Sequence, residues 1–554
     1  MKKYILFLSF FPFQLMGQSL HDSVTRKIDS LFSRYTTTTP GCAVAIIKNE
    51  KLVFKKGYGM ANLEYNIPIT PSSIFHIASE SKQYVAFCML LLEQQGKLSI
   101  DDDIRKYLDY VPELGKKITI RHLIHHTSGL RDQWQLLANA GWQLDDVITQ
   151  EHIIKLVSKQ KALNFDPGEE HLYCNTGYTL MAEIVKKASG LSLREYTDKY
   201  IFKPLEMNDT HFHDNYREIV PNRTYSYSPG GSSGYSHSVL SYSTVGATSL
   251  FTTVEDEAKW LMNYEHGKVG GKDLLQKMYS QGILNNGKKL TYAFATNMGE
   301  YHGWKEIGHG GGDAGFRTYA TRFPEHQLGI IVFSNLSSFN SYGIAMQVAD
   351  LLLPPKEKKS DSALIFADSN LLKKWVGRYV SARGGFLNLS WNNGKLVNRQ
   401  PGQATGGTEW KLAVKENNRY QLNEGPFLKF ETSSSADSVS RIIFDNPNGL
   451  TEFFRQPAIV VRKEEIAIYT GTYYNEETEA AYSVVVKDGD LILQHRKFAD
   501  VKLSPIAPDQ FSCPNWWMSN IKFLRDKKGV ITGFEVNAGR VLHLLYTKIK
   551  SVSK

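Results

Sequence analysis

The pattern of hydrophobic and polar positions changes several times along the chain and divides it into regions. Residues 24–54 begin with apolar positions at helical spacing and continue as two apolar runs around a polar tetrapeptide, which predicts a helix and then a β-hairpin. From about 145 to 205 the pattern is helical. Strands return in 290–333, and from 371 onward short alternating segments separated by turns predict an all-β region.

The most apolar helical segment, 83–92, follows a serine and a lysine with helical spacing. Because three residues make just under one turn, Lys82 is expected to project on the same side as Ser79 and to reach its hydroxyl. A serine becomes a nucleophile when a base takes its proton, and burial makes a lysine such a base. The same spacing recurs at Ser158/Lys161, Ser519/Lys522 and Ser551/Lys554. Only the copy at Ser79 opens an apolar helix.

Two later segments carry further candidate groups. A turn after Asp166-Pro167-Gly168 is predicted to deliver Tyr173 and Asn175 from a loop into the next helix. A glycine-rich stretch between two predicted strands contains His309, Gly311 and Gly312. Glycines at the edge of a strand allow a ligand or another backbone to approach closely.

Histidines and cysteines do not favour a metal site. His122, His125 and His126 are close in sequence, and two of them share a helix face, but no acid completes a metalloprotease motif. A packed helix end is therefore the preferred interpretation over a metal site. No Cys-x-x-Cys pair occurs, so zinc or redox chemistry is not expected and the cysteines are predicted to be buried thiols. They are Cys42, Cys88, Cys174 and Cys513. The sequence predicts no metal and no cofactor.

Composition bounds the class of protein. The chain has 554 residues, of which 42% are hydrophobic and 22% charged, so it is a folded protein of two to four domains. Its formal net charge is +9, but no basic stripe with interleaved aromatic residues occurs. Nucleic acid is therefore not an expected partner, and the charge is interpreted as a solvated surface.

The first residues resemble an export signal. Lys2 and Lys3 precede an apolar run, and the small Gly17 offers a cleavage point, which predicts a secretory signal peptide at 1–17. A membrane anchor is the weaker alternative, because Pro12 interrupts a run that is too short to span a bilayer. No later stretch is long enough to span one. The sequence thus predicts an exported protein, periplasmic or extracellular.

The C-terminal region repeats itself. After a predicted main domain at 18–355 and a charged linker at 356–368, two β-barrel-like modules are expected at 369–460 and 461–554. The segment Trp375-Val376-Gly377-Arg378-Tyr379 matches Tyr469-Thr470-Gly471-Thr472-Tyr473, and its glycine precedes the second one by 94 residues. One interpretation of these modules is two passive barrels that stabilise or space the main domain. The alternative hypothesis is that loops at 383–386 and 515–518 cover the Ser79 cleft and restrict substrate size.

Three motifs occur in the order Ser79-x-x-Lys82, Tyr173-x-Asn175 and His309-x-Gly311. Together with blocks at 58–62, 120–130, 167–177 and 204–210, they resemble the serine β-lactamase and penicillin-binding protein superfamily. The resemblance is to its class C-like branch, with the D-aminopeptidases and family VIII esterases, and it covers residues 20–355.

This resemblance implies a fold and a set of roles. The fold is of the α/β (α+β) type: an antiparallel sheet built from both ends of the domain, flanked by helices, with an all-helical region inserted.

By the same resemblance, Ser79 would be the acylated nucleophile and Lys82 its base. Tyr173 would pass a proton to the leaving group, and Asn175 would hydrogen-bond the substrate amide. The backbone N–H groups of Ser79 and Gly312 would form the oxyanion hole. Acyl transfer needs these kinds of groups.

The third motif departs from typical β-lactamases and D,D-peptidases, which have lysine where this chain has His309. A histidine is mostly neutral near pH 7, whereas a lysine is a fixed charge for a substrate carboxylate. We therefore expect amides or esters without a free C-terminal carboxylate to be preferred. The His-x-Gly version occurs in D-aminopeptidases and related esterases, and those aminopeptidases also carry two β modules.

The sequence thus predicts an exported serine hydrolase that works through a Ser79 acyl-enzyme on small peptides, amides or esters. Its partners would be a short peptide or small-molecule substrate, with cell-wall fragments among the candidates. One alternative is a D-Ala-D-Ala carboxypeptidase or a β-lactamase. The alternative from another class is a catalytically inactive relative that binds peptides or peptidoglycan.

Overall fold

The computed structural model describes residues 20–232, 234–354, 365–399, 407–415, 418–423, 426–432, 439–457 and 465–549. The predicted signal peptide at 1–17 and most of the predicted linker at 356–368 lie outside these ranges. Within them, no helix combines the length and the apolar character that crossing a membrane requires. All four cysteines are described, and each is a buried free thiol, as the sequence predicts.

The first part of the chain, up to residue 354, is organised around an antiparallel sheet. Its strands are β1 (Cys42–Lys48), β2 (Lys51–Tyr58), β3 (Met60–Asn62), β4 (Ile67–Pro68), β5 (Phe75–His76), β6 (Ile148–Thr149), β7 (His211–Phe212), β8 (Tyr227–Pro229), β9 (Tyr235–His237), β10 (Tyr242–Ser243), β11 (Leu250–Thr252), β12 (Asn297–Tyr301), β13 (Trp304–Asp313), β14 (Phe316–Phe323) and β15 (Leu328–Ser334). Six of them form the main sheet in the order β12-β13-β14-β15-β1-β2. The sheet is thus built from both ends of the domain, as the resemblance implies.

The described residues also form helices, some of which cover the two faces of this sheet. They are α1 (Asp22–Leu31), α2 (Ser81–Gln94), α3 (Ile120–Ile124), α4 (Gln133–Asn139), α5 (Gln150–Ser158), α6 (Asn175–Ser189), α7 (Leu193–Thr197), α8 (Lys203–Leu205), α9 (Val254–His266), α10 (Gly271–Lys277), α11 (Ser341–Leu352) and, after residue 364, α12 (Ser369–Lys373). Side chains of a strand point alternately to opposite faces. Accordingly, Val44 and Ile46 pack with α1 and α11, whereas Ala43 and Ala45 belong to the core that contains α2 and α9.

The C-terminal region forms two nine-stranded sheets. Module 1 contains β16 (Gly377–Ser381), β17 (Phe386–Asn392), β18 (Lys395–Asn398), β19 (Thr408–Glu409), β20 (Leu412–Val414), β21 (Arg419–Leu422), β22 (Phe427–Thr432), β23 (Val439–Asn446) and β24 (Gly449–Gln456). Module 2 contains β25 (Gly471–Asn475), β26 (Ala480–Lys487), β27 (Asp490–His495), β28 (Phe498–Lys502), β29 (Ser504–Ala507), β30 (Gln510–Ser512), β31 (Asn520–Arg525), β32 (Ile531–Ala538) and β33 (Val541–Ile549). In each module the first strand pairs with both the second and the last.

The two modules have the same strand order, so the sequence repeat corresponds to a structural repeat. The matched segments also make the same local contact. Tyr379 Oη donates to the Trp375 carbonyl at 2.9 Å, and Tyr473 Oη donates to the Tyr469 carbonyl at 2.6 Å. A buried tyrosine hydroxyl needs a partner, and the repeated aromatic pair supplies one in each copy.

Module 2 is joined to the first part of the chain by a buried charge. Arg131, which is fully buried, donates from Nη1 to both Glu477 oxygens at 2.8 and 2.6 Å. Its Nε and Nη2 donate to the carbonyls of Leu542 and His543, each at 3.0 Å. A buried guanidinium is tolerated only when its donors are paired. These contacts therefore fix module 2 against the helical region.

Candidate active site

The Ser79 turn is held between a helix and the sheet. Ser79 lies in a short 3₁₀ turn, Ala78–Glu80, which leads directly into α2. Ala78 has a φ of 50°, an uncommon conformation for a residue with a side chain. Thr318 on β14 donates to the carbonyl of Ile77 at 3.0 Å and holds the entry to the turn. The serine is therefore presented on a constrained backbone, at the start of the helix where the sequence places it.

Lys82 reaches Ser79 as the spacing predicts. Its Nζ donates to Ser79 Oγ at 2.9 Å, to Asn175 Oδ1 at 2.9 Å and to the Ala247 carbonyl at 2.5 Å. The side chain is completely buried. The three oxygen partners fix the position of the amine, and one of its bonding directions points at the serine hydroxyl.

The environment makes Lys82 a usable base. Burial lowers its pKa to about 7, because the charged form loses its hydration. The carboxylates of Asp313 and Asp132 oppose this change, and the positive charge of Arg540 adds to it. Near neutral pH a large share of the amine is thus unprotonated and able to accept the Ser79 proton.

Asn175 is the first residue of α6 and holds the lysine. Its Oδ1 accepts from Lys82, and its Nδ2 and its backbone N–H both donate to Asp132 Oδ2 at 2.8 Å. Asp132 is also the N-cap of α4 and accepts from the Trp134 N–H at 3.1 Å. Asp132 therefore orients Asn175, which in turn holds Lys82. The contact of Asn175 with the substrate amide stays a prediction.

Tyr173 faces the same cavity from the loop before α6. Lys82 Nζ lies 5.1 Å from the centre of its ring, and the ring of His126 lies 4.1 Å away on centroids. Among the described residues its buried hydroxyl has no hydrogen-bond partner at normal distance. Burial raises its pKa, while the nearby Ser79 hydroxyl and Arg540 oppose the rise. The phenol is thus protonated at neutral pH, and its role as proton donor to the leaving group stays a prediction.

His309 on β13 is a neutral, buried residue. Its Nδ1 lies 2.7 Å from the Gly310 carbonyl, which can only accept, so Nδ1 carries the proton. Nε2 is then free to accept from Tyr292 Oη at 3.1 Å. Burial lowers the pKa of His309 to about 4, with Lys82 adding to the effect. The expectation that this position lacks a fixed positive charge agrees with its surroundings.

Gly311 allows β13 to pass the Ser79 turn. A Cβ at this position would collide with the carbonyl of Ile77 and the hydroxyl of Thr318. Gly312, by contrast, has room for a Cβ and lines the cavity. The glycine requirement is therefore steric at Gly311, and the oxyanion role of the Gly312 N–H stays a prediction.

These groups meet at a cavity of about 410 Å³. Its walls are formed by Ser79, Trp134, His171, Tyr173, Asn175, Tyr292, Asn297, His309, Gly310, Gly312, Asp313 and Arg540. A second cavity of about 500 Å³ lies next to it, shares His171 and is lined on its far side by module 1. The three predicted motifs therefore converge on one site that is large enough for a short peptide.

Several lining residues were not predicted from the sequence. Trp134, Asp313 and Tyr292 come from segments without a recognisable motif, although Asp313 closes the glycine-rich stretch that the sequence singles out. Arg540 comes from module 2, in the turn between β32 and β33. A Gly-Arg turn between strands is an ordinary hairpin signal, so no local pattern marks it as part of the site.

The two loops predicted to cover the cleft lie elsewhere. Trp517 packs on α4, where its carbonyl accepts from Gln135 and Asn139 at 3.1 Å each. Arg383 pairs with Glu170 and lines the second cavity. In the part of the chain that the structure describes, neither loop contributes to the lining of the Ser79 cavity. The expectation that they border it is wrong, since the β32–β33 turn occupies that place.

The three clustered histidines have packing roles. His122 completes a capping box at the start of α3, and His125 packs against Phe294. His126 accepts from the Cys174 N–H at 3.1 Å and stacks on Tyr173. All three histidines therefore take part in packing at the end of this helix, which is the interpretation preferred from the sequence.

A different group offers metal-ligand atoms within 4.8 Å of one another: His211, His213 and Glu218. Both Glu218 oxygens, however, accept from Arg194, at 2.6 and 2.7 Å. A guanidinium at this position would repel a cation, so the group is better described as an ion pair.

The fold and this site define a class of protein. The Beta-lactamase family model matches residues 28–353. The chain belongs to this family and is a serine hydrolase of it, which confirms the resemblance.

Relatives extend the likeness beyond the first domain. Over 533 residues the chain is 25% identical to the D-aminopeptidase of Brucella anthropi, which covers 92% of this chain and 96% of that relative. It is 27% identical over 386 residues to penicillin-binding protein 4* of Bacillus subtilis, covering 64% of this chain and 82% of that one. The structure of the octameric penicillin-binding protein homologue from Pyrococcus abyssi matches with a TM-score of 0.55 and 26% identity, over 78% of this chain and 99% of that chain.

Proposed function

We propose that the protein is an exported serine hydrolase that cleaves the amide bond after an N-terminal D-amino acid in short peptides and amides. The observation that carries the proposal is the 2.9 Å contact between Lys82 Nζ and Ser79 Oγ at the wall of the cavity. The D-preference is supported by the D-aminopeptidase of Brucella anthropi, because that match includes both β modules.

The reaction begins with proton transfer. Neutral Lys82 takes the proton of Ser79, whose oxygen attacks the substrate carbonyl carbon. The tetrahedral oxyanion is stabilised by the backbone N–H groups of Ser79 and Gly312. Tyr173 gives its proton to the leaving nitrogen, the C–N bond breaks, and the acyl-enzyme remains on Ser79. Lys82, which still holds the proton taken from Ser79, then protonates the Tyr173 phenolate as the leaving amine departs, so that both groups regain their starting protonation states.

Hydrolysis of the ester completes the cycle. A water molecule attacks the acyl carbon while Tyr173 or Lys82 accepts its proton. The second tetrahedral intermediate collapses and the proton returns to Ser79 Oγ. The amino acid is released, and the enzyme regains its starting protonation state.

Export is part of this proposal. The predicted signal peptide at 1–17 supports it, and it would place the enzyme where short D-amino acid peptides from cell walls occur. Fractionation of cells that express the full chain tests it, because export predicts the mature protein, shortened at its N-terminus, outside the cytoplasm.

The activity is tested with D-alaninamide and L-alaninamide, measured by ammonia release from the full-length protein, with Ser79→Ala as the control. We expect kcat/KM for the D-form to exceed that for the L-form by at least about tenfold, because a fixed pocket distinguishes substituents on the Cα. Equal rates, or turnover that persists in Ser79→Ala, would contradict the proposal. Binding without turnover would favour the inactive peptide-binding alternative.

A further inference from the structure

The turn between β32 and β33 of module 2 is fixed on the catalytic domain by its backbone. The Arg540 N–H donates to Gln135 Oε1 at 2.8 Å. The Arg540 carbonyl accepts from the Asp132 N–H at 3.3 Å and from Asn164 Nδ2 at 3.0 Å. Asn164 Oδ1 accepts in turn from the Leu542 N–H at 2.8 Å. These bonds hold the main chain of the turn and leave the Arg540 side chain to project into the Ser79 cavity.

The guanidinium of Arg540 is held in position, but its N–H groups are not used in hydrogen bonds with the described residues. Its Cζ lies 4.7 Å from the centre of the Tyr173 ring, and Nη1 lies 3.9 Å from Asp132 Oδ2. In the described part of the chain, none of its five N–H donors has an acceptor within hydrogen-bond distance. The side chain is 44% exposed while it lines the cavity. It is therefore stacked in place with its donors available.

Asp132 does not neutralise Arg540 completely. Its Oδ2 already accepts two hydrogen bonds from Asn175, and its Oδ1 caps α4. At 3.9 Å the ion pair with Arg540 lacks hydrogen-bond geometry. A substrate carboxylate could thus bind Arg540 without displacing an established partner.

Among the described residues that line the cavity, Arg540 carries the one guanidinium and Asp313 the one carboxyl group. Of its lining residues, His171 and His309 have pKa values of about 4 because of burial, so both are neutral at pH 7. Asp313 ends β13, beside Gly312. One of its oxygens contacts His76 and Thr248, and its side chain is 17% exposed. A free short peptide carries an ammonium and a carboxylate, which matches this pair of charges.

We propose that Arg540 is a specificity residue that binds the C-terminal carboxylate of the leaving group, so that free dipeptides are preferred to amides and esters. The inference rests on the proposed function and names its substrate class. The carboxylate is assigned to the leaving group because Arg540 stacks on Tyr173, the residue proposed to protonate the leaving nitrogen. Bidentate binding of a carboxylate suits a guanidinium with free donors.

This inference reverses an expectation from the sequence. The neutral His309 alone predicts substrates without a carboxylate, but that argument considers only the third motif. The fixed cation is supplied here by module 2, from the turn between β32 and β33. The two expectations therefore predict opposite rankings for one pair of substrates.

The test compares D-alanyl-glycine with D-alanyl-glycinamide, which differ only in the carboxylate, on the full-length protein. We expect kcat/KM for the acid to exceed that for the amide by at least about tenfold in the parent. The ratio should fall to about one in Arg540→Gln, mainly through KM, and be partly restored in Arg540→Lys. Arg496→Gln is the matched control, because Arg496 is exposed in another turn of module 2.

Two results would overturn the proposal. A parent ratio at or below one would show that the carboxylate is not recognised. An unchanged ratio in Arg540→Gln, or an equal loss with both substrates, would assign Arg540 a merely structural role.

A binding measurement separates this inference from the proposed function. Calorimetry with Ser79→Ala and with Ser79→Ala/Arg540→Gln measures affinity for the acid and the amide without turnover. If the parent hydrolyses neither substrate, the proposed function fails. A carboxylate preference in binding that disappears with Arg540→Gln would still support Arg540, whereas its absence would overturn the inference.

Discussion

The two modules present the same hairpin to the catalytic domain with different chemistry. In module 1 the β23–β24 turn places Asn448 against the loop before β12, where Oδ1 accepts from the Thr291 N–H at 2.7 Å and from its hydroxyl at 3.0 Å. In module 2 the β32–β33 turn places Arg540 at the Ser79 cavity. Both residues are the second of a two-residue turn between the last two strands of their module.

The difference shows how one repeated fold can take two roles. Asn448 uses its side chain to hold a neighbouring loop, whose Tyr292 contacts His309. Arg540 is held by its backbone instead, so its side chain faces the cavity. A residue bound through its main chain keeps its side chain for a ligand, whereas one bound through its side chain acts as a support.

The largest expected effect concerns how each module is attached. Glu477→Gln in module 2 leaves the fully buried Arg131 without its counter-charge and should cost about 3–5 kcal/mol of unfolding free energy. In module 1, Arg383→Gln removes a half-exposed pair with Glu170 and should cost about 0–1 kcal/mol. Urea titrations of the full chain measure both. Equal losses would remove the distinction between a docked and a peripheral module.

The next effect tests whether the chemistry lies wholly in the first domain. Lys82→Ala and Tyr173→Phe should each lower kcat by about a hundredfold or more, because both remove a proton carrier from the transition state. Circular dichroism provides the control for folding. Near-normal turnover in both variants would contradict the proposed mechanism.

A smaller effect, on the pH dependence of kcat/KM, distinguishes the charged Arg540 turn of module 2 from the neutral Asn448 turn of module 1. Since Lys82 acts as a base when neutral and its pKa is about 7, kcat/KM should rise with pH through about 7 and then level off. Arg540 helps to lower this pKa, so Arg540→Gln should move the rise to higher pH. Asn448→Ala should leave it in place. The pH profiles of the three proteins measure this, and a shift toward lower pH in Arg540→Gln would have the wrong sign.

The smallest effect concerns the supporting turn. Asn448→Ala removes hydrogen bonds worth about 0.5–1.5 kcal/mol and should lower kcat/KM a few-fold through the loop that carries Tyr292. Asn446→Ala is the control, because Asn446 accepts from Lys288 through its backbone carbonyl. Equal effects of the two substitutions would show that the Asn448 side chain has no particular role.

The sequence predicts best what is local. Ser79 and Lys82 are joined by helical spacing, which fixes their contact without knowledge of the rest of the fold. The β modules are predicted from a repeat that recurs as the same strand order and the same tyrosine contact. Both inferences depend on periodicity, which a single chain displays directly.

Contacts between distant segments are not visible in the same way. Arg131 meets Glu477 across 346 residues, and this pair joins module 2 to the helical region. The loops at 383–386 and 515–518 have the aromatic and glycine content of a binding loop, yet they are used for docking. Asp132 and Arg540 could be found only once the position of module 2 was known.

The most direct test of the central claim is the covalent labelling of Ser79. A fluorophosphonate probe reacts with an activated serine, and mass spectrometry of the digested full-length protein locates the adduct. We predict a label on the peptide that contains Ser79, none on Ser158 or Ser519, and a loss of labelling in Ser79→Ala. Labelling of Ser79→Ala at the parent level, or an adduct on a different serine, would contradict the account.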